Sequence, residues 1–128
     1  MKNYFFLFLT FIVGVCSLQA QRIQYDSIQS KKLNQVREIA ISLPPSYGKE
    51  KDRKYPILLV LDQEYLMPLV VGNMHYANYW EDLPDMIIVG VSQNSGYDRD
   101  LDLELDKESS LPIKQGAKFF EFIGQELI

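Results

Sequence analysis

One cysteine and one histidine are all the thiol and imidazole that these 128 residues supply. The cysteine, Cys16, lies within the apolar N-terminal run, so a chain that sheds that run has no disulfide framework available to it. One histidine, His75, with no remaining cysteine, excludes a zinc site built from those ligands, and no metal is expected. Basic residues are outnumbered, 13 Lys and Arg against 17 Asp and Glu. An acidic chain is poorly matched to nucleic acid or anionic lipid, so neither is expected as a partner. No apolar run reaches the ~20 residues that a bilayer-spanning helix needs. There is no internal repeat, no low-complexity tract and no Gly-x-Ser-x-Gly elbow.

What is present is an ordinary globular composition, 47% apolar and 23% charged, at the length of one domain. The first twenty residues stand apart. Met1-Lys2-Asn3 is a short positive start, Tyr4 to Val15 is an unbroken apolar run of about a dozen residues, and Ser17-Leu18-Gln19-Ala20 follows. That order predicts a secretory signal peptide over 1–20, cleaved after Ala20, and no stable membrane insertion afterwards. Val15 before Cys16 does not suit a lipoprotein signal. Cleavage removes Lys2, leaving 12 basic residues against 17 acidic ones, a net charge of −5. The product is expected to be exported, to the periplasm or the cell exterior.

In the remaining 21–128, Ile23 and Tyr25 alternate with polar residues, KKLNQ reads as a turn, and Ile39, Ile41 and Leu43 alternate again. This predicts an antiparallel strand pair ended by Pro44-Pro45. After a charged loop, Ile57 to Leu61 is apolar without alternation, which needs cover on both faces. Leu66 to Trp80 has helical spacing, interrupted by Gly72, and DMIIVGVSQ (Asp85 to Gln93) is a second buried strand. Strand, helix, strand in that order is a parallel unit. Near the C-terminus Phe119, Phe122, Ile123 and Leu127 form one helical stripe. The class is α/β.

Between these elements lies DRDLDLELD, Asp98 to Asp106. As an EF-hand loop it fails, with Leu103 where the sixth-position glycine belongs and Ser109 at the twelfth position in place of glutamate. As a catalytic carboxylate pair it lacks an apolar pocket or partner to tune it. Its alternation, with Leu101, Leu103 and Leu105 on one side, fits a surface strand or extended loop. Arg99 follows the C-terminal end of a buried parallel strand, where ligand sites in open α/β sheets gather. A surface ion pair with Asp98 or Asp100 is the other reading of Arg99. His75, in mid-helix, reads as structural or surface, and Ser92, Ser95, Ser109 and Ser110 stand in no elbow.

REIAISLPPSYG, KYPILLVLDQEYL, DMIIVGVSQN, RDLDLELD and GAKFFEFIGQELI, in this order, resemble an esterase family of the α/β-hydrolase fold. That family includes enterochelin-esterase-like and esterase-D-like enzymes, and the resemblance covers nearly all of Arg37 to Ile128. It implies the N-terminal part of an α/β-hydrolase, an antiparallel pair leading into a parallel, helix-flanked sheet. It implies an oxyanion-hole position at Gln63, where many relatives carry glycine after the aspartate, and a substrate cleft bordered by Glu64 and Arg99. A backbone N–H serves whatever its side chain, although replacing glycine restricts φ. Family members continue into a strand, the serine elbow, an acid and a histidine. This chain supplies no catalytic residue of that set, and the C-terminal catalytic half is expected beyond Ile128. The implied function is a secreted serine esterase acting through an acyl-enzyme on small-molecule or glycan esters, with no cofactor. The alternatives are a non-catalytic α/β-hydrolase-like binding or scaffold protein, and an exported domain of unrelated function sharing the fold. Cut off at Ile128, the two apolar strands are expected to present an unpaired edge, and an isolated 21–128 chain to be poorly soluble or molten.

Overall fold

The computed structural model describes residues 23–80, 82–93 and 96–128. The expected signal peptide and its cleavage point lie outside the described residues. Four strands form one mixed sheet: β1 (Gln24–Ser30), β2 (Gln35–Ser42), β3 (Ile57–Leu61) and β4 (Ile87–Val91), in the spatial order β1-β2-β4-β3. β1 and β2 are antiparallel, with Gln24 opposite Ile41 and Ser30 opposite Gln35. β4 pairs on one side with β2, antiparallel, and on the other with β3, parallel and with Ile57 opposite Ile87. The antiparallel pair and the parallel unit are both as the sequence leads one to expect.

Among the described residues three helices accompany the sheet: α1 (Gln63–Tyr79), α2 (Gly96–Asp102) and α3 (Lys114–Phe122), the last continuing as a π-helical turn, Ile123–Leu127. α1 begins three residues before the expected Leu66 and runs through Gly72 without a break. It also contains Pro68, which cannot donate to the carbonyl of Glu64. Met67 and Val71, buried against the sheet, hold the helix on either side of that missing bond.

Residues that alternate along a strand point to opposite faces, and here both faces are covered. Ala40, Val60 and Ile88 pack with Met67 and Val71 of α1. Val91, Leu59 and Leu61 pack on the other side with Phe119 and Phe122 of α3 and with Leu33. This two-sided cover explains why β2 buries Ala40 and Ser42 as well as Ile39, where simple alternation suggests one wet face. It also explains the unbroken apolar runs of β3 and β4.

Three expectations need correction. Tyr25 is 68% exposed, because β1 is the outer strand of the sheet. Of the two apolar parallel strands only β3 has an open edge among the described residues, since β4 is paired on both sides. The acidic stretch is not a strand. Its first part is helix α2, and its second part loops back so that Leu105 bridges Pro112, leaving Leu103 and Leu105 exposed.

Each acid after Arg99 that takes a partner does so separately. Asp102 is buried in an ion pair, and Glu104 pairs with Lys114 at 2.6 Å. Asp106 accepts from the N–H of Glu108 and from the N–H and hydroxyl of Ser109. The Ser109 bonds hold the Asp106 carboxyl below its ordinary range. Beyond this turn α3 approaches so closely that a Cβ on Gly116 would lie 2.4 Å from the carbonyl oxygen of Glu104.

Candidate functional site at the carboxyl ends of the parallel strands

β3 and β4 run in the same direction, so their C-terminal ends open on the same side. β3 ends at Leu61, and Asp62 turns the chain through a left-handed conformation (φ 51°, ψ 48°) directly into α1. A non-glycine residue in that region is uncommon, with Asp and Asn the usual exceptions. The conformational demand therefore falls on Asp62. Gln63, where the loss of glycine seemed restrictive, is simply the first helical residue.

Asp62 does not cap the helix with its side chain. Its carbonyl accepts from the N–H groups of Tyr65 and Leu66, and its carboxylate Oδ2 accepts from Arg99 Nε at 2.8 Å. The first N–H groups of a helix have no intrahelical acceptor, and those of Gln63 and Glu64 have no acceptor among the described residues, which leaves them as donors at the strand ends. The hydrogen bond to Asp62, and then its charge, raise the pKa of Arg99 further. The pair is solvent-exposed, so it orients Arg99 more than it stabilises the fold. Asp62, at the end of β3, is thus the hydrogen-bonded partner of Arg99, and the charge of Asp100 adds a smaller attraction.

The Gln63 side chain is buried, 4% exposed, and lies over Gly90 of β4. Its Oε1 has no hydrogen-bond partner among the described residues, and neither has Oε1 of Gln93, just past β4. Glu64 is exposed on α1, and its Oε1 accepts a short hydrogen bond from the Ser92 hydroxyl. The three residues singled out from the sequence thus gather at one end of the sheet.

Beneath them lies a network that the sequence reading missed. Arg37 of β2 and Asp102 of α2 are both fully buried and form a two-pronged ion pair, Nη1 to Oδ2 at 2.8 Å and Nη2 to Oδ1 at 2.9 Å. Arg37 Nη1 also donates to the carbonyl of Ser92 at 3.0 Å. Gln35, its amide oriented by the donors that face it, accepts from Nη2 at 2.6 Å and Nε at 3.0 Å. All five guanidinium N–H groups are thereby used, and the ring of Phe119 lies 5.6 Å from the guanidinium carbon. Removing one member of such a pair costs about 3–5 kcal/mol, because the other charge is left buried and alone. The available signal was the phase of β2: Arg37 shares a face with Ile39 and Ile41.

A small, open cleft, lined by residues including Ser42, Pro45, Met74, His75, Asn78 and Asp85, lies at the other end of the sheet. It lies where β4 begins, away from Gln63, Glu64 and Arg99. His75 is exposed on α1 there, with no place beside those residues. Among the described residues no group of three or more His, Cys, Asp or Glu side chains is arranged to hold a metal ion.

No protein-family model matches the sequence, and no curated protein matches it either. Solved structures do. A protein from Capnocytophaga ochracea is 31% identical with a TM-score of 0.69, covering 83% of this chain and 28% of its own. An IroE-like serine hydrolase from Shewanella oneidensis is 23% identical with a TM-score of 0.66, covering 83% of this chain and 36% of its own. The enterobactin esterase of Shigella flexneri is 20% identical with a TM-score of 0.61, covering 82% and 24%. The chain thus spans about a quarter to a third of the length of these structures. Sheet order, helix placement and these likenesses together give its architecture: it folds as part of an α/β-hydrolase domain.

Proposed function

We propose that this chain is the N-terminal portion of an exported serine esterase that hydrolyses carboxylic esters through an acyl-enzyme. One juxtaposition carries the reading: the uncapped start of α1 stands beside Arg99 at the carboxyl ends of two parallel strands. In acyl transfer a serine oxygen adds to the ester carbonyl, and the negative charge that develops on the carbonyl oxygen needs fixed donors. The N–H groups of Gln63 and Glu64 are the candidates for that role. Arg99, charged and exposed, is suited to a carboxylate or carbonyl elsewhere on the substrate. The serine, the triad acid and the histidine are assigned to sequence beyond residue 128.

Small-molecule or glycan esters are the proposed substrates. The enterobactin esterase and serine hydrolase neighbours support the chemistry but not a particular ester. Acyl transfer through a serine triad calls for no cofactor. Export rests on the Met1 to Ala20 pattern, and among the described residues no helix is long and apolar enough to cross a membrane.

The first experiment is to read the coding DNA in frame past codon 128 and assay the whole protein on p-nitrophenyl acetate. A Gly-x-Ser-x-Gly elbow, with hydrolysis abolished by Ser→Ala at its centre, is the expected result. A stop codon at 129, or an elbow without serine, overturns the reading. Either result would favour the non-catalytic binding protein, toward which one feature leans: the buried bulk of Gln63 at the position where the resemblance leads one to expect glycine.

A further inference from the structure

We infer that Arg37 is a positioning residue, whose buried guanidinium holds Arg99 and Glu64 in register with each other at the strand ends. The inference rests on the ester-hydrolase reading and deepens it. Arg99 and Glu64 stand on different helices, and among the described residues no hydrogen bond joins them. Each is nevertheless one link from Arg37. On one side Arg37 grips Asp102, the last residue of α2, three residues along the same short helix from Arg99. On the other side it donates to the Ser92 carbonyl, while the Ser92 hydroxyl donates to the Glu64 carboxylate.

A seven-residue helix has little stability of its own and needs a tertiary anchor. Asp102 supplies one, reinforced by donation from Gln115 Nε2 at 3.4 Å and Gln93 Nε2 at 3.5 Å. Replacing a buried ion pair by apolar residues of similar volume is often neutral for stability, so packing alone does not require these charges here. What the pair adds is direction. A guanidinium with all five donors engaged fixes the carboxylate it holds in distance and in plane. The rotation of α2, and with it the reach of Arg99, follows from that plane.

The test uses the whole protein and the double swap Arg37→Met/Asp102→Leu, which removes both charges at once. Expected is a folded enzyme whose KM for an ester bearing a second carboxylate, mono-4-nitrophenyl succinate, rises by about tenfold, with kcat within about twofold. Arg99→Ala alone is expected to raise KM similarly, and the swap to add nothing in that background. A folded swap with unchanged KM, or KM effects that multiply, overturns the inference. Should the swap not fold, Gln35→Leu removes two of the five hydrogen bonds and no charge, and is judged by the same criteria with a smaller rise. If the wild-type protein hydrolyses no ester, the functional reading fails separately. Amide hydrogen exchange over residues 96–102 then decides the positioning role: faster exchange there in the swap supports it, and unchanged exchange overturns it.

Discussion

Gly90 is the point at which β4, α1 and the candidate oxyanion position press on one another. A Cβ placed there would lie 2.9 Å from Cβ of Gln63, 3.0 Å from its Oε1 and 3.1 Å from Sδ of Met67. The methionine sulfur can swing aside, since three rotatable bonds carry it. Cβ of Gln63 cannot, because it moves only with the first turn of α1, which Asp62 ties to the end of β3. Overpacking of this kind costs about 1–3 kcal/mol. Alanine recovers part of that, about 0.5–1 kcal/mol, by restricting the unfolded chain. Gly90→Ala is therefore expected to destabilise by about 1–2 kcal/mol, and to lower the urea midpoint by roughly 0.5–1 M. The companion Gln63→Gly removes both of the Gln63 atoms that clash, and in that background the cost of Gly90→Ala should fall to near zero. Equilibrium urea denaturation of the four proteins of this cycle is the assay. An unchanged midpoint in Gly90→Ala, or an equal loss in both backgrounds, would refute the claim that residues 63 and 90 compete for one space.

Gly116→Ala is expected to destabilise more than Gly90→Ala, because its Cβ would meet a backbone oxygen 2.4 Å away that no rotamer can clear; calorimetric melting checks the order. Phe122→Ala, at a fully buried ring beside Phe119, should cost about 3–5 kcal/mol by urea denaturation. Glu126 binds the Ser30 hydroxyl and the N–H groups of Lys31 and Lys32, and chiefly the Ser30 bond holds its folded pKa below the unfolded value. Its stabilising effect is thus present above the ordinary carboxylate range and is lost as pH falls through the lowered folded pKa. Stability measured against pH should accordingly fall less steeply in acid for Glu126→Gln than for wild type, and identical slopes would count against the clamp.

Much of this fold is legible because it is local. Five consecutive apolar residues in β3 admit only two-sided cover, and Phe119 and Phe122 mark the buried stripe of α3. What escaped is either non-local or ambiguous in period. Arg37 and Asp102 are 65 residues apart, and neither announces its partner. Asp98 to Asp106 alternates like a strand, yet its first part is helical, because α2 is fixed by the buried pair at Asp102 and not by its own pattern. Ala40 and Ser42 look like a wet face by residue type, yet small side chains are what let α1 sit close to the sheet. At the site, Gln63 was identifiable only by resemblance. The left-handed turn that places it belongs to Asp62, a residue type that tolerates it.

The strand order β1-β2-β4-β3 also dictates a sequence of events during synthesis. β4 is the last of the four to be made, and it is the one that joins the β1–β2 pair to β3. Before residues 87–91 are available, β1 and β2 can close as a hairpin, but β3 has no strand to pair with. Ile39 must then meet Val91 across about fifty intervening residues, a closure whose entropic cost precedes any reward from the contact. Nascent chains shorter than this should therefore hold a lone hairpin and an apolar β3 exposed to chaperones, and the sheet should appear in one step when β4 arrives.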